Sequence, residues 1–150
     1  MTRLKDKFRA GIIGLGVGFH HLNFLNKYKN CTNIKVFDSD KKNYIYIKKN
    51  FKKISFALNS DEILEDKKID LVIICSYDNF HANQIVKSLK NKKFIFCEKP
   101  ICLTKQELKK IKKTQKKYNH FPISSNFILR NSPQFINLKK RLRNKEFGKV

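Results

Sequence analysis

No apolar stretch in this sequence approaches the roughly 20 residues that a membrane-spanning helix needs. The first ten residues, Met1 to Ala10, carry charges where a secretory signal would need an unbroken apolar segment. A membrane-embedded or exported chain is therefore not expected, and the expected home is the cytoplasm. The four cysteines, Cys31, Cys75, Cys97 and Cys102, form no CxxC pair. Two of them sit in apolar runs and read as small core residues under reducing conditions. No spacing among cysteine, histidine and carboxylate suggests a metal site. The chain has no internal repeat and no Gly/Ser/Pro linker, and 150 residues suffice for one domain with a real core but not for two.

Negative charge is also scarce: 12 Asp plus Glu face 34 Lys plus Arg, a formal charge of +22. Arginine, the residue best suited to reading base edges, contributes only Arg3, Arg9, Arg130, Arg141 and Arg143. The lysine excess accompanies many Asn, Ile and Phe, the mixture that A/T-rich codons give, and no groove-reading motif accompanies it. Codon bias is the preferred reading, and any nucleic-acid binding should be unspecific and salt-sensitive.

Short β-type runs alternate with helical periodicity, which predicts βαβ units, a doubly wound parallel sheet and an α/β Rossmann-type fold. Strands are expected at 8–13, 33–37, 54–56, 71–75, 94–97 and 123–127, and helices at 18–28, 41–50, 60–66, 79–91, 104–118 and 133–144. Thr104-Lys-Gln-Glu107 has the spacing of a capping box, and Ser132-Pro133 places a capping residue before a proline at the first helical position. The lysines of the helix after Thr104 crowd one side and read as a solvated face. The expected organisation is a nucleotide-binding unit over 1–122 and a strand and helix over 123–150 that cross toward a second, absent domain. Phe135, Leu138 and Leu142 would then leave a sticky apolar side, with self-association or a partner chain as its symptom.

The run Gly11-Ile-Ile-Gly14-Leu-Gly16-Val-Gly18 leaves a predicted strand and enters a predicted helix. Residues without Cβ permit a tight turn and close approach to a pyrophosphate, and the helix start supplies free N–H groups. The third glycine is one residue early for G-x-G-x-x-G, since Phe19 holds that position, so a purely structural turn stays open. Asp38 closes the second strand 24 residues after Gly14. A carboxylate there accepts hydrogen bonds from both ribose hydroxyls and repels a 2′-phosphate, which favours NAD. Asp38-Ser-Asp40 capping the next helix is the competing reading, and Lys41 and Lys42 keep NADP open as a second cofactor.

Two further segments are more specific. Asp70-Leu-Val-Ile-Ile-Cys-Ser76-Tyr-Asp-Asn-Phe-His81 is followed, after a helix, by Phe94-Ile-Phe-Cys-Glu98-Lys99-Pro100. A strand ending in Thr or Ser five residues before a His, then Glu-Lys-Pro closing the next strand, resembles the glucose-fructose oxidoreductase, inositol dehydrogenase and MocA-type family (Gfo/Idh/MocA). The run Ser125-Asn126-Phe-Ile-Leu-Arg130-Asn-Ser-Pro133, with Phe147-Gly148-Lys149-Val150, is similar to that family's crossover into its second domain. The departures are the shifted glycine, Tyr77 where Pro is common and Asp78 where Asn is common.

The resemblance implies that Gly14, Gly16 and Gly18 line the pyrophosphate and Asp38 holds the adenosine ribose. It implies that Ser76, Tyr77 and His81 border the cofactor, and that Glu98 and Lys99 sit by the nicotinamide ribose with Pro100 in a cis turn. Lys99 is the catalytic candidate, able to donate to a reacting carbinol oxygen. His81 read as a helix-start residue and Lys99 read as one more solvated lysine are the competing structural readings; His20, His21 and His120 are read as structural. The family's substrate pocket and catalytic Asp and His pair lie in a second domain that would open at Val150. The implied function is hydride transfer between nicotinamide and a carbinol carbon of a sugar, inositol or nucleotide sugar, with this chain alone inactive. It would be a truncated reading frame or a half completed by another chain. A non-catalytic nucleotide-binding or interaction module is the alternative.

Overall fold

The computed structural model describes residues 4–119 and 121–148. Its strands are β1 (Phe8–Ile13), β2 (Cys31–Phe37), β3 (Ile54–Phe56), β4 (Leu71–Ile74), β5 (Phe94–Cys97) and β6 (Ile123–Ser125). The helices between and after them are α1 (Gly18–Lys27), α2 (Tyr44–Asn50), α3 (Asp61–Leu64), α4 (Asp78–Lys90), α5 (Lys105–Lys117) and α6 (Pro133–Arg143). The strands form one six-stranded sheet in the order β3-β2-β1-β4-β5-β6, and every pairing is parallel. The doubly wound α/β fold expected from the alternation is the one observed. The strand order reverses between β1 and β4, with β2 and β3 added to one side and β4 to β6 to the other, and a crevice at the strands' carboxyl ends follows from that reversal.

Strand parity distributes the core. Ala10, Ile12, Ile34, Val36 and Ile73 face α1 and α2, where they pack with Leu22, Leu25 and Ile47. Ile13, Val72, Ile74, Ile95 and Cys97 face the opposite layer and pack with Ile63, Ile85, Leu89 and Ile111. Lys93 is buried ahead of β5, its ammonium donating to the carbonyls of Asp66 (2.5 Å) and Ile69 (2.9 Å), and burial pushes its pKa down. This lysine ties the loop that feeds β4 to the start of β5.

Several boundaries differ from expectation. Strand β2 begins at Cys31 because that residue already pairs with Phe8. The helix expected from 41 opens as a 3-10 turn, Lys41–Asn43, capped by Asp40. Strand β6 pairs with β5 as a full member of the sheet and ends at Ser125, two residues short of the expected 123–127. A 3-10 turn at Ile128–Asn131 occupies the next residues.

The capping box at Thr104 forms as the spacing requires, with Glu107 N–H donating to the Thr104 hydroxyl (3.1 Å) and the Glu107 carboxylate accepting from Thr104 N–H (3.0 Å). Pro133 opens α6, but Ser132 makes no side-chain cap bond. No residue of α6 is buried, and Phe135, Ile136, Leu138 and Leu142 are exposed. The sheet face that Phe94 and Phe96 present is likewise uncovered, forming an apolar groove with Phe24 and Leu71. Residues His120, Lys149 and Val150, for which structural or crossover roles were expected, lie outside the described residues.

Candidate functional site

The carboxyl end of β1 turns through Gly14 and Gly16 into α1. Gly14 has φ +88°, and a Cβ there would lie 2.2 Å from the Cys75 carbonyl oxygen, so only glycine fits. Its N–H donates to Phe37 O (2.8 Å), which ties the turn to the end of β2. Gly16 is different: a Cβ there would meet nothing within 4 Å, because the residue opens into the cleft. Gly18 is buried, with space for a Cβ limited by Ile12 Cγ2 at 3.0 Å and Cys75 Cβ at 3.3 Å. Its Cβ position faces β1 and β4, so the missing side chain lets α1 pack close to both strands.

Asp38 closes β2 with its carboxylate already engaged. One oxygen accepts the Leu15 N–H of the glycine turn and the other accepts Asp40 N–H (2.8 Å). Its own N–H donates to the Tyr44 hydroxyl (2.8 Å). Cap duty for the following turn falls to Asp40, which accepts from Lys42 N–H (3.0 Å). Asp38 thus bridges the glycine turn and the β2 end, and it lines the cleft. Lys42 pairs with Asp40 at 3.4 Å.

At the end of β4, the Ser76 hydroxyl donates to Gln84 Oε1 (2.7 Å), and Tyr77 is exposed at the start of α4. His81 is 0% exposed. Its Nδ1 lies 2.7 Å from Pro100 O and its Nε2 2.9 Å from Ser76 O. Both ring nitrogens face backbone carbonyl oxygens, and the tautomer decides which of the two receives the N–H. The histidine is a strut that links the residues after β4 to those after β5. The Lys99–Pro100 peptide is cis. Lys99 is exposed beside half-buried Glu98, whose Oε1 accepts from Asn126 Nδ2 (2.8 Å).

The result is a cleft of about 570 Å³ along the strand ends, within the usual range for small-molecule sites. It gathers Gly14, Gly16, Asp38, Ser76 and Tyr77, while Glu98 and Lys99 follow at the end of the neighbouring β5. The cleft also contains Asp40, Asn59, Ser60, Phe80 and Gln84, which sequence reading missed. The strand-end rule applied to β3 would have found Asn59 and Ser60; nothing in the local pattern marks Gln84. A second group was also missed: ligand atoms of His21, Cys75 and Glu98 all lie within 4.8 Å of one another. Burial and the Glu98 charge push the Cys75 thiol up to about 12.

A family model described as an oxidoreductase family with an NAD-binding Rossmann fold matches residues 8–126. The myo-inositol 2-dehydrogenase of Thermotoga maritima is 28% identical over 142 residues, covering 94% of this chain and 42% of the relative. The NAD(+)-dependent scyllo-inositol 2-dehydrogenase of Bacillus subtilis is 28% identical over 148 residues, covering 97% and 43%. In fold, the crystal structure of myo-inositol 2-dehydrogenase from Lactobacillus plantarum superposes with a TM-score of 0.84 at 24% identity, over 96% of this chain and 43% of that one. The chain spans less than half the length of these relatives. It belongs to the Gfo/Idh/MocA oxidoreductase family and carries that family's NAD-binding Rossmann domain.

Proposed function

We propose that this chain is the nucleotide half of a polyol or sugar dehydrogenase, holding NAD(H) across the β1/β4 crevice. The observation that carries the reading is that an open glycine, Gly16, and a strand-end carboxylate, Asp38, line one cleft, which supports a pyrophosphate over the first and an adenosine ribose at the second. Gly14 shapes the turn and Gly18 seats α1 behind it, so that the start of α1 faces the phosphates. Ser76 and Tyr77 border the middle of the dinucleotide. Glu98 and exposed Lys99 reach its nicotinamide ribose, and Lys99 is the chain's catalytic candidate, donating to the carbinol oxygen. His81 acts through Ser76 and Pro100 as a positioning residue.

The inositol dehydrogenases among the relatives support a polyol or sugar as hydride donor. Bound NAD supplies the hydride acceptor. This chain's residues orient it, exclude water from one side and present the lysine ammonium. Residues 1–122 form the nucleotide unit, and the strand and helix over 123–150 lead toward a substrate domain. Substrate capture and proton acceptance need groups from such a domain, so the chain alone is expected to bind NAD without turning over. Calorimetric titration with NAD and NADP in EDTA-containing buffer tests binding, with NAD expected to be the tighter ligand. Incubation with NAD and a panel of inositols and sugars tests turnover. NADH production by the purified chain would refute the half-enzyme reading, and NAD binding without any dependence on Asp38 would refute the site.

A further inference from the structure

We propose that His21, Cys75 and Glu98 form a three-ligand site for a thiol-seeking divalent cation of the zinc class, beside the cofactor cleft. The three residues come from α1, the end of β4 and the end of β5, and their ligand atoms converge within 4.8 Å. The residues are half-buried, so the site is partly shielded yet reachable from solvent.

His21 Nε2 lies 3.6 Å from Glu98 Oε1, an ion-pair separation when the imidazole is protonated and close to that of two ligands on one ion. Two donors on one tetrahedral ion with bonds of about 2.0–2.1 Å stand roughly 3.3 Å apart, and a nitrogen–sulfur pair about 3.5 Å apart. The donor set is also apt: imidazole, thiolate and carboxylate together suit zinc, and three protein ligands leave a fourth position for water. Supporting contacts orient the ligands. Asn126 donates to the Glu98 carboxylate at 2.8 Å, and Phe96 packs edge-on against the His21 ring at 5.0 Å between centroids.

Binding breaks the Cys75 S–H bond, forms a sulfur–metal bond and releases one proton to solvent, with no change of oxidation state. The inference stands on the side-chain cluster alone and does not depend on cofactor binding.

The test is titration of the purified chain, without cofactor and under reducing conditions, with Co²⁺ alone. The expected result is a thiolate-to-cobalt absorption band in the near ultraviolet that saturates at one equivalent and is displaced by Zn²⁺. The band should vanish in Cys75→Ser and persist in Cys102→Ser. His21→Gln keeps the thiol and the core, and should weaken affinity about tenfold or more. Absence of the band, its survival in Cys75→Ser, or unaltered affinity in His21→Gln would each overturn the site.

Discussion

Replacing Gly16 by valine separates a phosphate-binding turn from a merely structural one. A Cβ at Gly16 meets nothing within 4 Å and the residue has no left-handed φ, so the free protein should accept the substitution with its melting temperature nearly unchanged. Gly14 provides the contrast. An alanine there combines a left-handed φ of +88° with a Cβ 2.2 Å from Cys75 O and 2.8 Å from Ser76 N, both backbone atoms that cannot rotate away. Left-handed strain of about 1–2 kcal/mol plus overpacking of about 1–3 kcal/mol gives a loss of roughly 2–5 kcal/mol. At about 2–4 °C per kcal/mol for a chain of this length, Gly14→Ala should melt roughly 5–20 °C lower. The NAD readout should invert this order for the folded Gly16→Val protein. The two valine methyls fill the space a pyrophosphate must enter, so affinity should fall about 100-fold, or ~2.7 kcal/mol. Thermal melts by circular dichroism and calorimetric NAD titrations decide the matter. If Gly16→Val melts as low as Gly14→Ala, the glycine is structural; if it binds NAD as wild type does, the pyrophosphate does not cross Gly16.

Asp38→Ala should narrow the preference for NAD over NADP in paired calorimetric titrations; it also removes acceptors for Leu15 and Asp40 N–H, so a stability loss of about 1–2 kcal/mol should accompany it. His81→Leu deprives the carbonyl that receives the ring N–H of its donor and should cost about 1–3 kcal/mol in denaturant unfolding, with His81→Gln recovering part of it. Cys75 and Cys97, both pushed up to about 12 mainly by burial, are about one part in ten thousand thiolate at pH 8. In EDTA-containing buffer both should therefore resist iodoacetamide in the native chain, with alkylation, read by mass spectrometry, increasing as pH rises. The basic surface should bind nucleic acid only weakly and without sequence preference, and sequence-selective gel shifts that persist at raised salt would refute that view.

The alternation of β-type runs and amphipathic segments was enough to set out an all-parallel sheet, because parallel strands buried on both faces read as apolar runs separated by helices. Strand ends then located Gly14, Asp38, Ser76 and Glu98, since the carboxyl ends of such strands are where a ligand can reach backbone and side chain together. Local chemistry was equally legible at Thr104, whose capping box needs only four consecutive residues. Exact strand limits were not: β2 begins at Cys31 because of its pairing with β1, a partner distant in sequence.

Position along the chain could place Gly18 and His81 near the cofactor, but not say which way they face. Packing turned Gly18 toward Ile12 and Cys75, and turned His81 inward to two carbonyls, while Gly14 and Gly16 line the cleft. The gathering of His21, Cys75 and Glu98 is the extreme case, since three residues from three elements share a point only after the sheet has formed. By itself the sequence determined the fold class, the family and the strand ends at which chemistry is possible, because periodicity and short motifs are written in neighbouring residues. Only the tertiary structure decided which side chains line the cleft, which brace it from below and which converge as ligands, because those outcomes depend on distances between segments that the linear order does not contain.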